Sequence, residues 1–170
     1  MAHLSNVYRK AWLGWGYVNN PEFSLADKYP LISTLAASAA TVGQCALEVI
    51  TRFRWDIVSI IYTSNEVRFC DDIMDSLMNS LSDANAAFTP RIALKQIVDP
   101  NDDESYKQTL RQIKARSRVV IFCMDLVNDR RGFLIKADQM GMTNNEYVFF
   151  MLGLRSNAFG QDILYRRLGH

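Results

Sequence analysis

The chain has 170 residues, 49% of them apolar, and a formal net charge of +1. A chain of this length and composition can bury a real hydrophobic core, which excludes a disordered tail and indicates one globular domain. Lysine and arginine are spread along the sequence, and the densest cluster, at residues 111–118, alternates with apolar residues, so nothing indicates binding to nucleic acid.

The longest apolar runs, at residues 119–124 and 147–154, are far shorter than the roughly 20 residues that span a bilayer. Residues 1–18 contain no uninterrupted apolar segment and no small-residue cleavage pattern, so no signal peptide is predicted. From the sequence as written we therefore expect neither a membrane anchor nor an export signal.

The first predicted elements follow an N-terminal segment that shows no clear pattern. Residues 39–53 are predicted to form an amphipathic helix, capped by Ser38 or Thr41, and its apolar stripe is Val42, Ala46, Val49 and Phe53. Residues 57–62 form an apolar run without alternation, which is typical of a strand covered on both faces. The next helix repeats apolar residues every four positions, at Phe69, Ile73, Leu77 and Leu81.

The second half of the sequence continues the alternation. Strands are predicted at residues 91–98, 118–124 and 146–153. The helices between them carry apolar stripes at Tyr106, Leu110 and Ile113, and at Phe133, Leu134, Ala137 and Met140. We expect Asn128 to cap the last helix and Gly141 to end it, while residues 154–170 show no pattern. The order βαβαβαβ with right-handed crossovers predicts an α/β fold, a parallel sheet with helices on both faces.

Sequence motifs give no support for catalysis. The turn after the first long strand, residues 63–68, lacks the glycines of a dinucleotide-binding loop, and no phosphate-binding loop or nucleophile elbow occurs. Asp99 and Asp125 follow two strands and would suit magnesium, but roles in a loop or helix cap are favoured because no acidic cluster or lysine completes a metal site. No cofactor, metal or enzymatic activity is predicted.

The cysteines and two arginines leave alternatives open. The odd count of three cysteines, at Cys45, Cys70 and Cys123, favours three buried thiols, with a Cys45–Cys70 disulfide as the alternative in an oxidising compartment. Arg130 and Arg131 open a predicted helix, where positive charge is unfavourable. We expect both to extend into water, or else to meet an acidic group on a partner or neighbouring domain.

Three stretches match a known family when taken together: "WGYVNNPEFSLADKYPLISTLAAS", "RFRWDIVSIIYTSNE" and "RVVIFCMDLVNDRRGFLIKADQMGMTNNEYVFFMLG". They resemble the extracellular ligand-binding region of receptor-type guanylate cyclases, most closely the nematode set, over about residues 5–160. The residues that carry the resemblance are Trp15 and Gly16, Tyr29 and Pro30, Phe53 with Trp55 and Asp56, Tyr62, residues 118–121, and Tyr147 with Val148. The resemblance extends more loosely to natriuretic-peptide receptors and periplasmic binding proteins.

The resemblance implies one lobe of a periplasmic-binding-protein-like clamshell, in which a ligand binds between two lobes. Residues 1–37 would be a remnant of the first lobe with a hinge crossover, residues 38–160 the second-lobe α/β domain, and residues 161–170 a tail. Because the family's membrane helix and cyclase domain are not in this sequence, we expect a receptor fragment without catalysis, on the extracellular side of the cell membrane. Its ligand would be an unknown small molecule or peptide, and its partner a second copy or the missing first lobe.

The same resemblance places five residues at the ligand-binding cleft: Thr34, Ser38, Tyr62, Thr63 and Ser64. Helix capping and loop hydrogen bonding are the alternative roles, and capping is favoured for Ser38. A freestanding flavodoxin-like signalling or interaction domain in the cytosol is the alternative function. If the first lobe is missing, Trp12, Trp15 and Tyr17 lose their packing partners and would drive association.

Overall fold

The structure, a computed structural model, describes residues 2–15, 20–35, 37–66, 68–82 and 88–153. Tyr17 and the predicted tail at residues 154–170 lie outside these described residues. In chain order the elements are α1 (Ala2–Tyr8), β1 (Trp12–Gly14), a 3₁₀ helix (Pro21–Ser24), β2 (Ile32–Thr34), α2 (Ala39–Arg52), β3 (Ile57–Tyr62), α3 (Phe69–Leu81), β4 (Arg91–Ile97), α4 (Asp103–Arg116), β5 (Val119–Cys123), α5 (Val127–Gln139) and β6 (Val148–Met151).

The described residues divide into two units. The first contains residues up to 56 together with 64–90, and the second contains residues 57–63 together with the described chain from 91 to 153. The first unit therefore holds α1, β1, β2, α2 and α3, and the second holds β3 to β6 with α4 and α5.

The N-terminal part of the first unit contains elements that the sequence pattern did not reveal. Strands β1 and β2 pair in parallel, with Trp12 opposite Ile32 and Gly14 opposite Thr34. Phe23 on the 3₁₀ helix makes an edge contact with Trp12, with ring centroids 5.7 Å apart. Strands of three residues are too short to show a period, so this pair is defined by its tertiary contacts.

Helices α2 and α3 pack closely in the first unit. The stripe predicted for α2 is confirmed only at Ala46, because Val42 and Val49 are half-buried and Phe53 is 65% exposed. The buried residues of α2 are Ala39, Gly43, Ala46 and Ile50. Small side chains on this face let the backbones approach. A Cβ built on Gly43 would lie 2.8 Å from the Leu77 backbone nitrogen. The stripe predicted for α3 is confirmed, since Phe69, Ile73, Leu77 and Leu81 are all buried.

The second unit is built on a four-stranded parallel sheet with strand order β4-β3-β5-β6. All five residues of β5 are buried, as are five of the six residues of β3, which confirms that these apolar strands occupy the centre of the sheet. Strand β4 carries Arg91 and Lys95 exposed at one edge of the sheet. Its charged residues explain the edge position, because charge is costly on a strand that is covered on both faces.

Helices α4 and α5 cover an apolar core in the second unit. Leu110 and Ile113 of α4 and Phe133 and Ala137 of α5 are fully buried together with Phe122 of β5 and its neighbours. The stripes predicted for both helices therefore face the core, with Leu134 and Met140 partly buried against it. Outside this core, the Lys136 ammonium of α5 lies 2.7 Å from the Asp103 carboxylate of α4.

The boundaries of α5 differ from the prediction at one end. The N-cap is Leu126, without a side-chain hydrogen bond, so Asn128 lies inside the first turn and does not cap the helix. At the other end Gly141 has φ +69°, and its amide donates to the Asp138 carbonyl at 2.8 Å. Glycine ends the helix there because the left-handed conformation is strained for other residues.

One buried polar contact joins the central strand to a helix end. The hydroxyls of Ser59 on β3 and Ser117 at the C-cap of α4 are 2.6 Å apart, and both residues are buried. One hydroxyl donates to the other, which gives each buried oxygen a hydrogen-bond partner. The second unit as a whole is an α/β structure with a parallel sheet and flanking helices, as in a lobe of a periplasmic-binding-protein-like fold.

We expect Gly43→Ala to destabilise the chain by about 1–3 kcal/mol, because the new methyl group would push α2 away from the α3 backbone. The matched control is Gly132→Ala on α5, whose added Cβ would be 3.9 Å from the nearest atom, a ring carbon of Tyr106. That control should be neutral, or more stable by up to about 1 kcal/mol through helix propensity. Urea unfolding midpoints measure both variants, and equal effects would contradict the close packing of α2 against α3.

Candidate functional site

The carboxyl ends of β3, β4, β5 and β6 meet at one edge of the sheet in the second unit, because all four strands run in parallel. We call this the carboxyl edge and define it as residues 62–63, 97–99 and 123–126. Open α/β sheets bind ligands outside the carboxyl ends of their strands. Side chains at this edge are therefore the first candidates for contact with a ligand.

Tyr62 and Thr63 are the two predicted cleft residues that the structure brings to the carboxyl edge. Their exposed fractions are only 6% and 5%. The Tyr62 carbonyl accepts a hydrogen bond from the Val98 amide at 2.9 Å, and the Thr63 amide donates to the Cys123 carbonyl at 3.1 Å. The backbone of this pair is thus fixed by both neighbouring strands. In addition, the Lys95 ammonium lies 5.9 Å from the centre of the Tyr62 ring.

Thr34, Ser38 and Ser64 belong to the first unit. Thr34 ends β2 and is half-buried. The Ser38 hydroxyl caps α2 by accepting a hydrogen bond from the Thr41 amide at 3.2 Å.

Ser64 is exposed, and its hydroxyl lies 2.9 Å from each carboxylate oxygen of Asp71 in the first turn of α3. The hydroxyls of Ser38 and Ser64 thus make the capping and loop contacts that were the alternative to ligand binding. A role for Thr34, Ser38 or Ser64 in ligand binding stays a prediction.

The two aspartates considered for magnesium have different environments. Asp99 is exposed, and its carboxylate accepts a hydrogen bond from the Asn101 amide at 2.9 Å, which makes it a turn residue. Asp125 is 5% exposed. Among the residues that the structure describes, no group of three or more His, Cys, Asp or Glu side chains is placed to hold a metal ion.

Arg130 lies on α5, next to the carboxyl edge, and its environment differs from the prediction. It is only 2% exposed and is among the largest fully buried side chains of the described chain, so the expectation that it extends into water is wrong. Its guanidinium donates from Nε to the Met124 carbonyl at 2.6 Å and from Nη2 to the Asp125 carbonyl at 2.8 Å. Arg131, in contrast, is exposed.

Burial and mutual repulsion shape the electrostatics around Arg130. Burial raises the pKa of the Asp129 carboxyl, and the nearby charge of Asp125 raises that pKa further. Burial lowers the pKa of the Arg130 guanidinium, an effect opposed by Asp125 and Asp129. Burial also raises the pKa of Tyr106, whose hydroxyl donates to the Asp129 carbonyl at 3.5 Å. The two carboxylates therefore offset part of the effect of burial on the charge of Arg130.

The cysteines also differ from the first expectation. Cys45 on α2 is a free, exposed thiol, so a Cys45–Cys70 disulfide is ruled out and the picture of three buried thiols is wrong. Cys70 and Cys123 each take part in a disulfide bond. No sequence pattern indicates these disulfide-bonded cysteines, because the strand that contains Cys123 is apolar enough to bury a thiol.

These observations first define a class of protein. The second unit has an open parallel sheet with helices packed on it, and Tyr62 and Thr63 lie at its carboxyl edge. This architecture is that of an α/β lobe like those of periplasmic-binding-protein-like folds, a class in which ligands bind outside the carboxyl ends of the strands.

Comparison with known proteins then identifies the family. Residues 1–168 match the family described as "Receptor family ligand binding region", and the chain belongs to it. It is similar to receptor-type guanylate cyclase gcy-4 of Caenorhabditis briggsae, with 36% identity over 94% of the chain and 14% of that relative. It is also 34% identical to gcy-4 and 30% identical to gcy-5 of Caenorhabditis elegans, over the same shares of each chain. The chain thus spans about one seventh of the length of these relatives.

The match places the chain in the ligand-binding region of a receptor related to guanylate cyclases.

Among the described residues, no helix combines the length and the apolar character that a membrane crossing requires.

Proposed function

We propose that this chain contributes a ligand-binding surface to a receptor of the guanylate cyclase type, and that its own residues bind rather than catalyse. The family match over residues 1–168 is the observation that carries the proposal. The similarity to receptor-type guanylate cyclases over 94% of the chain supports the receptor class. The ligand would be a small molecule or a peptide outside the cell.

The proposed ligand contacts are the five predicted cleft residues, two in the second unit and three in the first. Tyr62 and Thr63 are the strongest members, because their backbone is fixed by β4 and β5 at the carboxyl edge. A backbone held in this way keeps the side chains of both residues in defined positions, so less freedom is lost when a ligand binds, which lowers the entropy cost of binding. Thr34, Ser38 and Ser64 complete the proposal, although the hydroxyls of Ser38 and Ser64 also hydrogen bond within the first unit.

The proposed location is the extracellular side of the cell membrane. Disulfide bonds form and persist in oxidising compartments and are rare in the cytosol. The disulfide-bonded state of Cys70 and Cys123 therefore supports an extracellular location, and it disfavours the alternative of a cytosolic flavodoxin-like module.

Part of the first unit is proposed to contact another protein surface. In the proposed domain organisation, residues 1–37 are first-lobe and hinge sequence and residues 38–160 form the second lobe. Five large apolar residues at the N-terminal end are more than half exposed, and we call them the N-terminal apolar surface: Leu4, Val7, Tyr8, Leu13 and Trp15. Next to them a groove of about 350 Å³ is lined by Leu4, Ser5, Tyr8, Lys10, Ala11 and Trp12. In a longer receptor, first-lobe sequence or a second copy would cover this surface.

The proposed ligand surface can be tested by thermal-shift screening of the purified chain against a panel of inorganic salts, small organic acids, amines and short synthetic peptides. A bound probe should raise the melting temperature, because it stabilises the folded state only. Thr63→Val should weaken binding of that probe by about tenfold, which corresponds to the loss of one hydrogen bond in the complex.

The matched control for the ligand screen is Thr89→Val, which changes an exposed threonine before β4. It should leave the affinity unchanged. Equal affinities in wild type, Thr63→Val and Tyr62→Ala would remove the carboxyl edge from the proposed site, whatever the probe.

The proposed location predicts a definite thiol count. The chain produced through a secretory pathway and unfolded without reductant should take up one carbamidomethyl group, on Cys45, and three after reduction. Reduction should also destabilise the chain by about 2–4 kcal/mol. Intact mass and peptide mapping measure the count, and three alkylated cysteines before reduction would contradict the extracellular assignment.

The N-terminal apolar surface predicts that the isolated chain self-associates. On size-exclusion chromatography with light scattering, the wild-type chain should elute above its monomer mass of 19.4 kDa. The double variant Val7→Ser/Trp15→Ser should shift toward monomer, because 73% and 80% of these side chains are exposed. Leu35→Ser, at a residue that is 72% exposed outside this surface, is the control, and a monomeric wild-type chain would overturn the prediction.

A further inference from the structure

Just beyond the end of β5, two backbone carbonyls accept hydrogen bonds from the Arg130 side chain. The Phe122 carbonyl accepts from the Leu152 amide at 2.8 Å, and the Cys123 carbonyl accepts from the Thr63 amide at 3.1 Å. These are the last two β5 carbonyls, and each accepts a hydrogen bond from the residue that follows a neighbouring strand in the described sheet. The next two residues, Met124 and Asp125, are buried as well, and buried carbonyls without a donor are costly.

The Arg130 guanidinium supplies the missing donors. Its Nε and Nη2 groups reach the Met124 and Asp125 carbonyls at 2.6 and 2.8 Å, so one planar group continues the pattern of donors beyond the end of the sheet. Two nitrogens in a fixed plane suit two successive carbonyls, whereas a lysine ammonium is a single point of charge. Arg130 lies in the first turn and a half of α5, so the contact also ties the helix start to the strand end.

The loop that Arg130 holds lies between β5 and α5 and consists of residues 124–126. It is part of the carboxyl edge, and it leads to Leu126, an N-cap residue that is 57% exposed without a side-chain hydrogen bond. Thr63 pairs with Cys123 immediately before this loop. A change in the path of the loop would therefore alter the surface next to Tyr62 and Thr63.

We propose that Arg130 is a positioning residue, which fixes the loop of residues 124–126 through two carbonyl hydrogen bonds and so sets the shape of the carboxyl edge for a ligand. The relevance to ligand binding rests on the proposed function, but the positioning itself does not. Asp125 and Asp129 support the arrangement, because both lie close enough to stabilise the guanidinium charge.

Hydrogen exchange measured by mass spectrometry on the full chain tests the positioning without any ligand. In Arg130→Lys and Arg130→Met, amides in peptides covering residues 124–129 should exchange about tenfold faster, as expected for loss of hydrogen bonds to a charged group. Peptides covering α4 and residues 141–147 should keep wild-type exchange. Arg131→Met changes the exposed neighbour and should leave the whole pattern unchanged.

A rescue experiment separates positioning from simple space filling. In Arg130→Ala, millimolar ethylguanidinium should slow exchange in residues 124–129 toward the wild-type rate, and ethylammonium should not. Unchanged exchange in this segment would overturn the proposal. So would a uniform rise across the second unit, or a loss of folding in both the lysine and methionine variants, because either result would identify Arg130 as a general core residue.

The exchange measurement and the ligand screen separate a failure of the positioning role from a failure of the proposed function. If the exchange pattern is as expected but no probe in the ligand panel binds, the positioning role stands and the ligand surface is in question. If a probe binds and Arg130→Lys leaves both its affinity and the exchange of residues 124–129 unchanged, Arg130 is not a positioning residue.

Discussion

The second unit depends on one constraint, which is that the backbone of a fully buried strand must find hydrogen-bond partners along its whole length. All residues of β5 are buried, so water is not available to its amides and carbonyls. Strands β3 and β6 supply hydrogen-bond partners to the β5 backbone on its two sides. Beyond the ends of these strands, the Arg130 guanidinium donates to the next carbonyl, that of Met124. The position of the carboxyl edge, and the shape of the loop beside it, follow from that requirement.

The same requirement explains why a charged residue is buried beside apolar strands. Burial of an arginine is unfavourable unless its donors and its charge are matched. Here two carbonyls accept hydrogen bonds from the guanidinium and two aspartates stabilise its charge, so part of the cost of desolvation is offset locally. A hydrophobic residue of similar size would fill the space but would leave the Met124 and Asp125 carbonyls without these donors. The arrangement ties the loop of residues 124–126 to the start of α5.

The two units use different kinds of packing. In the first unit, small residues such as Gly43 let α2 approach the α3 backbone, and aromatic rings of Trp12 and Phe23 meet edge to face near the N-terminus. In the second unit, α4 and α5 cover the sheet with large aliphatic and aromatic side chains such as Leu110 and Phe133. This packing covers the parallel sheet that ends at the carboxyl edge.

The sequence by itself determined the type and approximate bounds of the elements from residue 39 to residue 151, because apolar residues repeat with the period of each element. Its resemblance to receptor guanylate cyclases also identified the family that the comparisons confirm. Only the tertiary structure decided the strand order, the pairing of β1 with β2 and the disulfide-bonded state of Cys70 and Cys123. The burial of Arg130 was also decided only by the tertiary structure. A periodic pattern shows which face of an element is apolar, but it does not show which groups from distant parts of the chain will contact that element. The run of residues 57–62 illustrates both sides. Its apolar residues predicted a central strand, whereas the contacts of Tyr62 and Thr63 depend on β4 and β5, which lie beside it in the folded chain.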